Sequence, residues 1–403
     1  VKILFAAAPG YGLLLPVVPL IWAARAAGHE VLLATTADMT EVGARAGLPV
    51  VDVFPQRDVW DDLLGGLHAD RQDNRADDTA PYGMPELYRR AAAAGSPFGL
   101  FTLTMTESTI AAGREFGADL VVHTSDHEAG ALAARALGVP VLELGNRISW
   151  SMRDQDFRDG RGGLVDEEII RALRAELSIP DGPPEVIARI DPRAPSMGGL
   201  RADEPDPRDG APWWPMRYVP YNGGTVLPGW LRDAPERPRV GVTLGTVVPA
   251  MSGTSDLAVT IEALGGMDVD VVLAAGEADL SGLGTLPGNV RPAGFLPLSA
   301  LLPTCALLVH HGGSGTTAAP LFYGVPQLVF PAFADNPMSA ERVVRRGVGL
   351  SHDPSTVDVE MVRLLAGRVL TEPSFARAAR EVSAEMAAQP SPATIIERLV
   401  AVT

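Results

Sequence analysis

Short apolar runs alternate with alanine-rich, helix-like stretches along this chain, and the alternation occurs twice, on either side of a proline- and glycine-rich stretch. That pattern specifies parallel strands joined by crossover helices, with each sheet buried on both faces. In the first half, residues 1–7 (VKILFAA), 29–36 (HEVLLATT), 48–53 (LPVVDV), 118–124 (ADLVVHT) and 139–144 (VPVLEL) read as strands. Helices are expected over 19–28, 37–47, 100–116 and 128–138, and Gly28 and Gly47 suit helix C-caps. Residues 56–96 read as a long polar loop with helical pieces. From about 180 to 238 the composition shifts to proline and glycine, which predicts a linker or surface-wrapped connector. Alternation then resumes, with strands at 239–245, 268–276, 289–295, 305–313 and 325–331, helices near 255–265, 315–323 and 338–346, and a last helix over 391–402.

A chain of 403 residues is long for one domain. The expected architecture is α/β: two Rossmann-like domains facing a cleft. The first covers 1–210, a linker covers 211–238, the second covers 239–385, and the tail 386–403 crosses back to the first. Ligands belong outside the carboxyl ends of the strands. The net charge of −16 argues against nucleic acid as a partner, because backbone binding needs clustered Lys and Arg. No basic amphipathic stretch points to a membrane surface, and no apolar run reaches the roughly 18 residues of a membrane span. The first apolar run lacks the flanks of a signal peptide, so a cytoplasmic location is expected. One cysteine, Cys305, excludes an intrachain disulfide and a cysteine-based zinc site.

The most informative segment is LLVHHGGSGTTAAPLFYGVPQLVFP, Leu307 to Pro331. An apolar strand ends in two histidines, glycines follow, and Ser314, Thr316 and Thr317 open a helix. Free backbone N–H groups at a helix start suit an anion, and glycine lets a phosphate approach the backbone closely. A hydroxyl and an imidazole add hydrogen bonds, which makes a diphosphate cradle without lysine or metal. The segment lacks the Gly-Lys-Ser/Thr of a Walker A loop. The plainer reading is a tight strand–helix turn whose glycines serve packing alone.

This segment resembles the donor signature of GT-B glycosyltransferases of family 1, and among them the actinobacterial enzymes that glycosylate polyketides and other antibiotic aglycones. The resemblance extends to PVVPLIWAARAAGHEVLLAT, MRYVPYNGGTVLPGWL, VTLGT, FLPLSALLPTCALLVHHGGSGTT and GVPQLVFPAFADN, in that order. It implies metal-free, inverting transfer of a deoxysugar from a thymidine-diphosphate (TDP) donor, the TDP-sugar serving as co-substrate with no cofactor. It implies that His311, Gly313, Gly315 and Thr316 bind the diphosphate, with Gly245 and Thr246 as a second phosphate contact. Phe295, Leu296 and Pro297 match the segment around the nucleotide base, and Asp335 and Asn336 match an acid–amide pair that hydrogen-bonds the sugar. That pair is more often Asp-Gln, so Asn336 is a shorter departure. A nucleotide-sugar epimerase of the same fold, or a non-catalytic donor-binding auxiliary, stays open, as does association with a second copy or an auxiliary protein.

The front loop, AAPGYGLLLPVVPL, departs further. Where the family places a histidine that acts as general base, aligning Pro16 and Pro19 puts Leu13, and Thr124 takes the place of the acid that steadies it. Asp126 and His127 are the best-placed replacements, with Glu143 and His68 behind them, unless they only cap the helix that starts near 128. Otherwise the acceptor is acidic enough to need little help, or the protein is a poorly active homologue. Tyr11, Leu13, Trp60 and Tyr82 are candidates for an apolar acceptor pocket. The Asp-Val-Asp at 268–270 is read as a strand start rather than a metal motif, and HTSDHE matches no standard zinc spacing.

Overall fold

The computed structural model describes the chain apart from residues 57, 62–83, 94–96, 162–163, 244, 246–254, 277–279 and 403. Two sheets form. The first has the order β3-β2-β1-β4-β5-β6-β8-β7. Its strands are β1 (Lys2–Ala6), β2 (Glu30–Thr35), β3 (Val50–Asp52), β4 (Leu120–Thr124), β5 (Val141–Leu144), β6 (Val186–Asp191), β7 (Glu204–Pro205) and β8 (Pro212–Pro215). The second, all parallel, has the order β11-β10-β9-β12-β13-β14. It comprises β9 (Arg239–Thr243), β10 (Asp270–Leu273), β11 (Val290–Pro292), β12 (Leu307–His310), β13 (Gln327–Val329) and β14 (Gly349–Ser351). In both sheets the order reverses beside the first strand, where doubly wound folds open their ligand crevice.

Helices cover both faces of the first sheet. Leu4, Ala6 and Val121 face a core with the helix Pro97–Phe116, while Ile3, Phe5 and Val122 face one with the helix Val18–Ala26. Alternate residues of one strand therefore feed two cores, as a doubly covered parallel sheet requires.

The region 180–238 is more than a connector. β6 and β8 lie within it, and β8 occupies residues assigned to the linker, so the first unit's sheet runs past the expected 210 boundary. Charge and proline hid these strands. Arg189 in β6 is buried only because Glu143, Asp206 and Asp209 surround it. β8 is Pro-Trp-Trp-Pro; Trp213 is fully buried and its indole N–H donates to Asp206 at 2.8 Å.

The last helix, Pro392–Val402, packs on the helix Val18–Ala26 and places Ile395, Ile396 and Leu399 in the first unit's core. The chain thus crosses between the units twice. A further apolar cluster joins them directly, with Ile148, Ala194, Met197 and Tyr218 on one side and Ala318, Leu321, Val343 and Met386 on the other. Because Ile396 is fully buried, Ile396→Ala should cost about 2–5 kcal/mol. The measurement is the urea midpoint of the first unfolding transition, which should fall.

Candidate active site

Strand β12 ends at His310, which is fully buried and holds the turn that follows. Its Nδ1 accepts the Gly312 N–H at 3.1 Å, so its Nε2 donates to Gln327 Oε1 at 2.8 Å. Gln327 passes the network on, donating from Nε2 to the Thr317 carbonyl at 3.2 Å. Burial pushes the His310 pKa down to about 3, which matches the neutral tautomer this network needs. The network ties β12, β13 and the helix Ser314–Tyr323 into one rigid corner.

His311 lies over that corner between two glycines. A Cβ on Gly313 would sit 2.4 Å from its Nε2, and one on Gly245 would sit 2.4 Å from its Cε1. Gly245 also has φ +69°, so glycine is required there twice over. The His311 Nδ1 is buried without a partner among the described residues, and burial lowers its pKa to about 4. The helix Ser314–Tyr323 starts at Gly313 with no side-chain cap, which leaves its first N–H groups open. Gly315 and Thr316 are half-buried at this opening. Uncapped N–H groups and an imidazole therefore sit together at one spot suited to an anion, with Thr316 in the first turn of the helix.

Asp335 precedes the helix Asn336–Arg346 but does not cap it. Ala334 holds the turn before it at φ +53°, a conformation that strains a non-glycine residue by about 1–3 kcal/mol. The Asp335 carboxylate instead accepts from Arg147 Nη1 at 3.1 Å and from the Ser149 hydroxyl, both in the other unit. Asn336 is buried at the helix start. The Ile148 N–H donates to Ser314 Oγ at 2.7 Å.

On the facing unit the front loop is a short helix, Tyr11–Leu14. Leu13 is buried in an apolar cluster with Val59, Phe101 and Trp60, while Tyr11 is exposed. Trp60 donates its indole N–H to the Pro9 carbonyl at 3.0 Å and meets Phe101 edge-on. Thr124 is buried with its hydroxyl unpartnered among the described residues.

Asp126 is buried and fully engaged, accepting from Asn146 Nδ2 and from Arg147 Nε and Nη2 at 3.0–3.2 Å. His127 is 1% exposed, and neither ring nitrogen has a partner among the described residues. Burial lowers its pKa to about 3, against a smaller opposing effect of Asp126. Neither side chain caps the helix Glu128–Leu137. Glu143 is paired to Arg189 at 3.1 Å.

Leu296 and Pro297 are buried, whereas Phe295 is 48% exposed with its ring against Gly223. Thr246, Tyr82 and His68 lie outside the described residues. Among the described residues no group of three His, Cys, Asp or Glu is placed to hold a metal ion, and no helix is long and apolar enough to cross a membrane. A cavity of about 730 Å³, lined by Glu167, Arg171, Arg174 and Asp181, includes none of these candidates.

Sequence reasoning missed Arg147, Ser149 and Gln327. The first two lie in the polar run Gly145–Asn146–Arg147–Ile148–Ser149 just beyond β5, at a carboxyl end of the sheet, and that position was the available signal.

Gly313→Ala should displace the His311 ring and weaken nucleotide-diphosphate binding at least roughly tenfold, read by calorimetry with TDP. His127, His310 and His311 have folded pKa values below the ordinary 6.5. The unfolded chain therefore binds their protons first, so stability is full above pH 6.5 and falls as pH drops from there toward 4. Each histidine contributes up to about 1.4 kcal/mol per pH unit in that window. His127→Gln should flatten this slope in denaturation curves recorded between pH 6.5 and 4.5.

Comparison with known proteins accounts for this arrangement. Residues 22–245 match the N-terminal domain of the erythromycin biosynthesis protein CIII-like family, and residues 258–402 match its C-terminal domain. The elloramycin glycosyltransferase ElmGT of Streptomyces olivaceus is 38% identical, covering 99% of this chain and 96% of its own. The crystal structure of the glycosyltransferase SnogD from Streptomyces nogalater superposes with a TM-score of 0.78 at 34% identity, over 100% of this chain and 99% of its own. The glycosyltransferase SsfS6 from Streptomyces sp. SF2575, in complex with thymidine diphosphate, gives 0.74 at 32% identity, over 100% and 99%. Two facing parallel sheets, an uncapped helix at the end of β12 and likeness along the whole chain lead to one conclusion: this chain belongs to the erythromycin biosynthesis protein CIII-like family and is a GT-B glycosyltransferase.

Proposed function

We propose that this chain transfers a deoxysugar from a TDP donor to a natural-product aglycone of an antibiotic pathway, in the cytoplasm and with inversion at the anomeric carbon. The acceptor oxygen forms its bond to the anomeric carbon as the bond to the diphosphate oxygen breaks. TDP leaves, and the acceptor's hydroxyl proton goes to solvent or a nearby base. The observation that carries this reading is the uncapped start of the helix Ser314–Tyr323, with His311 wedged between Gly245 and Gly313. Those groups meet charge growing on the leaving diphosphate, and preorganised donors of this kind supply a large share of such catalysis. The TDP complex of SsfS6 supports the donor class, and the relatives' activity supports transfer over epimerisation. Backbone N–H groups and an imidazole meet the diphosphate charge in this reading, so it invokes no cofactor or metal.

The acceptor side favours an acidic hydroxyl. Asp126 is held by Arg147 and Asn146, and His127, with a pKa near 3, is a weak base at neutral pH. A phenol or enol gives up its proton without a strong base. Leu13 then serves as an apolar wall with Trp60 rather than as a failed base position.

Incubation with TDP-sugars and phenolic aglycones, followed by mass spectrometry, should yield the glycoside, with the rate unchanged by a chelator. Nucleotide binding without product under any condition, with or without added partner proteins, would sink the enzyme reading for an isolated chain. Leu13→His should lower kcat/KM on the native acceptor by about tenfold, because it buries a polar group in an apolar cluster. A sharp rise would show that the missing base limits the wild type.

A further inference from the structure

The loop Asn146–Ser149 belongs to the acceptor unit, yet its bonds converge on the donor unit. Arg147 Nη1 and the Ser149 hydroxyl both bond one oxygen of Asp335, Oδ2. The other oxygen, Oδ1, has no protein donor among the described residues. An aspartate just before a helix ordinarily turns back to cap it, and this one reaches across the cleft instead. Arg147 is itself fixed. Its Nε and Nη2 hold buried Asp126, and the Phe98 and Trp150 rings lie 5.9 and 5.3 Å from its guanidinium carbon. Three of its five N–H groups are engaged, which leaves two for a ligand.

We propose that Arg147 and Ser149 are positioning residues that aim Asp335 at the donor's sugar, so that sugar recognition is built from both units and exists only in the closed arrangement. The inference rests on the donor-site reading above. With Oδ2 anchored, Oδ1 accepts one sugar hydroxyl in a fixed direction. The nucleotide needs none of this, because its diphosphate meets the helix start and His311 in the donor unit alone. Sugar selection is thereby tied to the acceptor unit, and an open cleft holds the nucleotide without reading the sugar.

The test separates sugar from nucleotide. Calorimetry of the full chain gives Kd for TDP, TDP-glucose and a TDP-2,6-dideoxyglucose, and the comparison uses whichever sugar donor binds wild type more tightly. Ser149→Ala removes one bond to Asp335 and leaves the Arg147–Asp126 pair intact. It should weaken the TDP-sugar by roughly three- to tenfold and leave TDP within about twofold. Arg147→Gln should weaken the sugar donor by about tenfold or more, and Arg147→Lys should restore part of that loss. In turnover, the donor KM should rise more than kcat falls. Equal losses for TDP and TDP-sugar in folded Ser149→Ala, or no loss of sugar affinity in either variant, would overturn the inference. Failure of wild type to bind TDP would instead overturn the donor-site reading, and this inference with it.

Discussion

Charge buried between the two units must be paired, and that requirement fixes how the units meet. Arg342 in the donor unit donates to the Ser149 and Met197 carbonyls and to Asp154 across the seam. Asp154 in turn holds Arg193, a fully buried arginine that also pairs with Asp191 at the end of β6. Arg147 links Asp126 to Asp335 across the cleft, and Arg346 reaches Ser196. Losing one partner of such a pair leaves an uncompensated buried charge and costs about 3–5 kcal/mol. Neighbouring apolar contacts of Ile148 and Tyr218 keep water out of the seam. This polar lattice closes the two units in one register.

The two ends of the site are built on different physics. The end beside the helix Ser314–Tyr323 is rigid and polar. His310 and Gln327 fix a turn whose glycines admit an imidazole at near-contact distance, and the helix dipole adds partial positive charge. The end in the first unit is apolar, with Leu13, Trp60 and Phe101 in one cluster. One cleft thus carries both characters, because each unit supplies one.

The central strands of each sheet were legible because a buried parallel strand is a nearly uninterrupted apolar run; β1, β4, β9 and β12 lie inside the runs read for them. β6 and β8 were not, since Arg189 and Asp191 are buried as ion pairs and β8 is bounded by prolines. Periodicity reads hydrophobicity, and a charge neutralised by a distant residue keeps its polar letter. The glycine turn was legible for a similar local reason, as its glycines, histidines and hydroxyls are adjacent in the chain. Arg147 lies 188 residues from Asp335, and no local pattern joins them.

The sequence by itself determined two parallel α/β units, the glycine turn with its open helix start, and a leucine where a base is expected. Each is a local property of composition and order. Only the tertiary structure decided that Asp126 is held by Arg147, that His127 is buried without a partner, and that Asp335 turns away from its own helix to meet the other unit. Those outcomes depend on burial and on pairing between distant charges, and both quantities exist only once the chain has closed on itself.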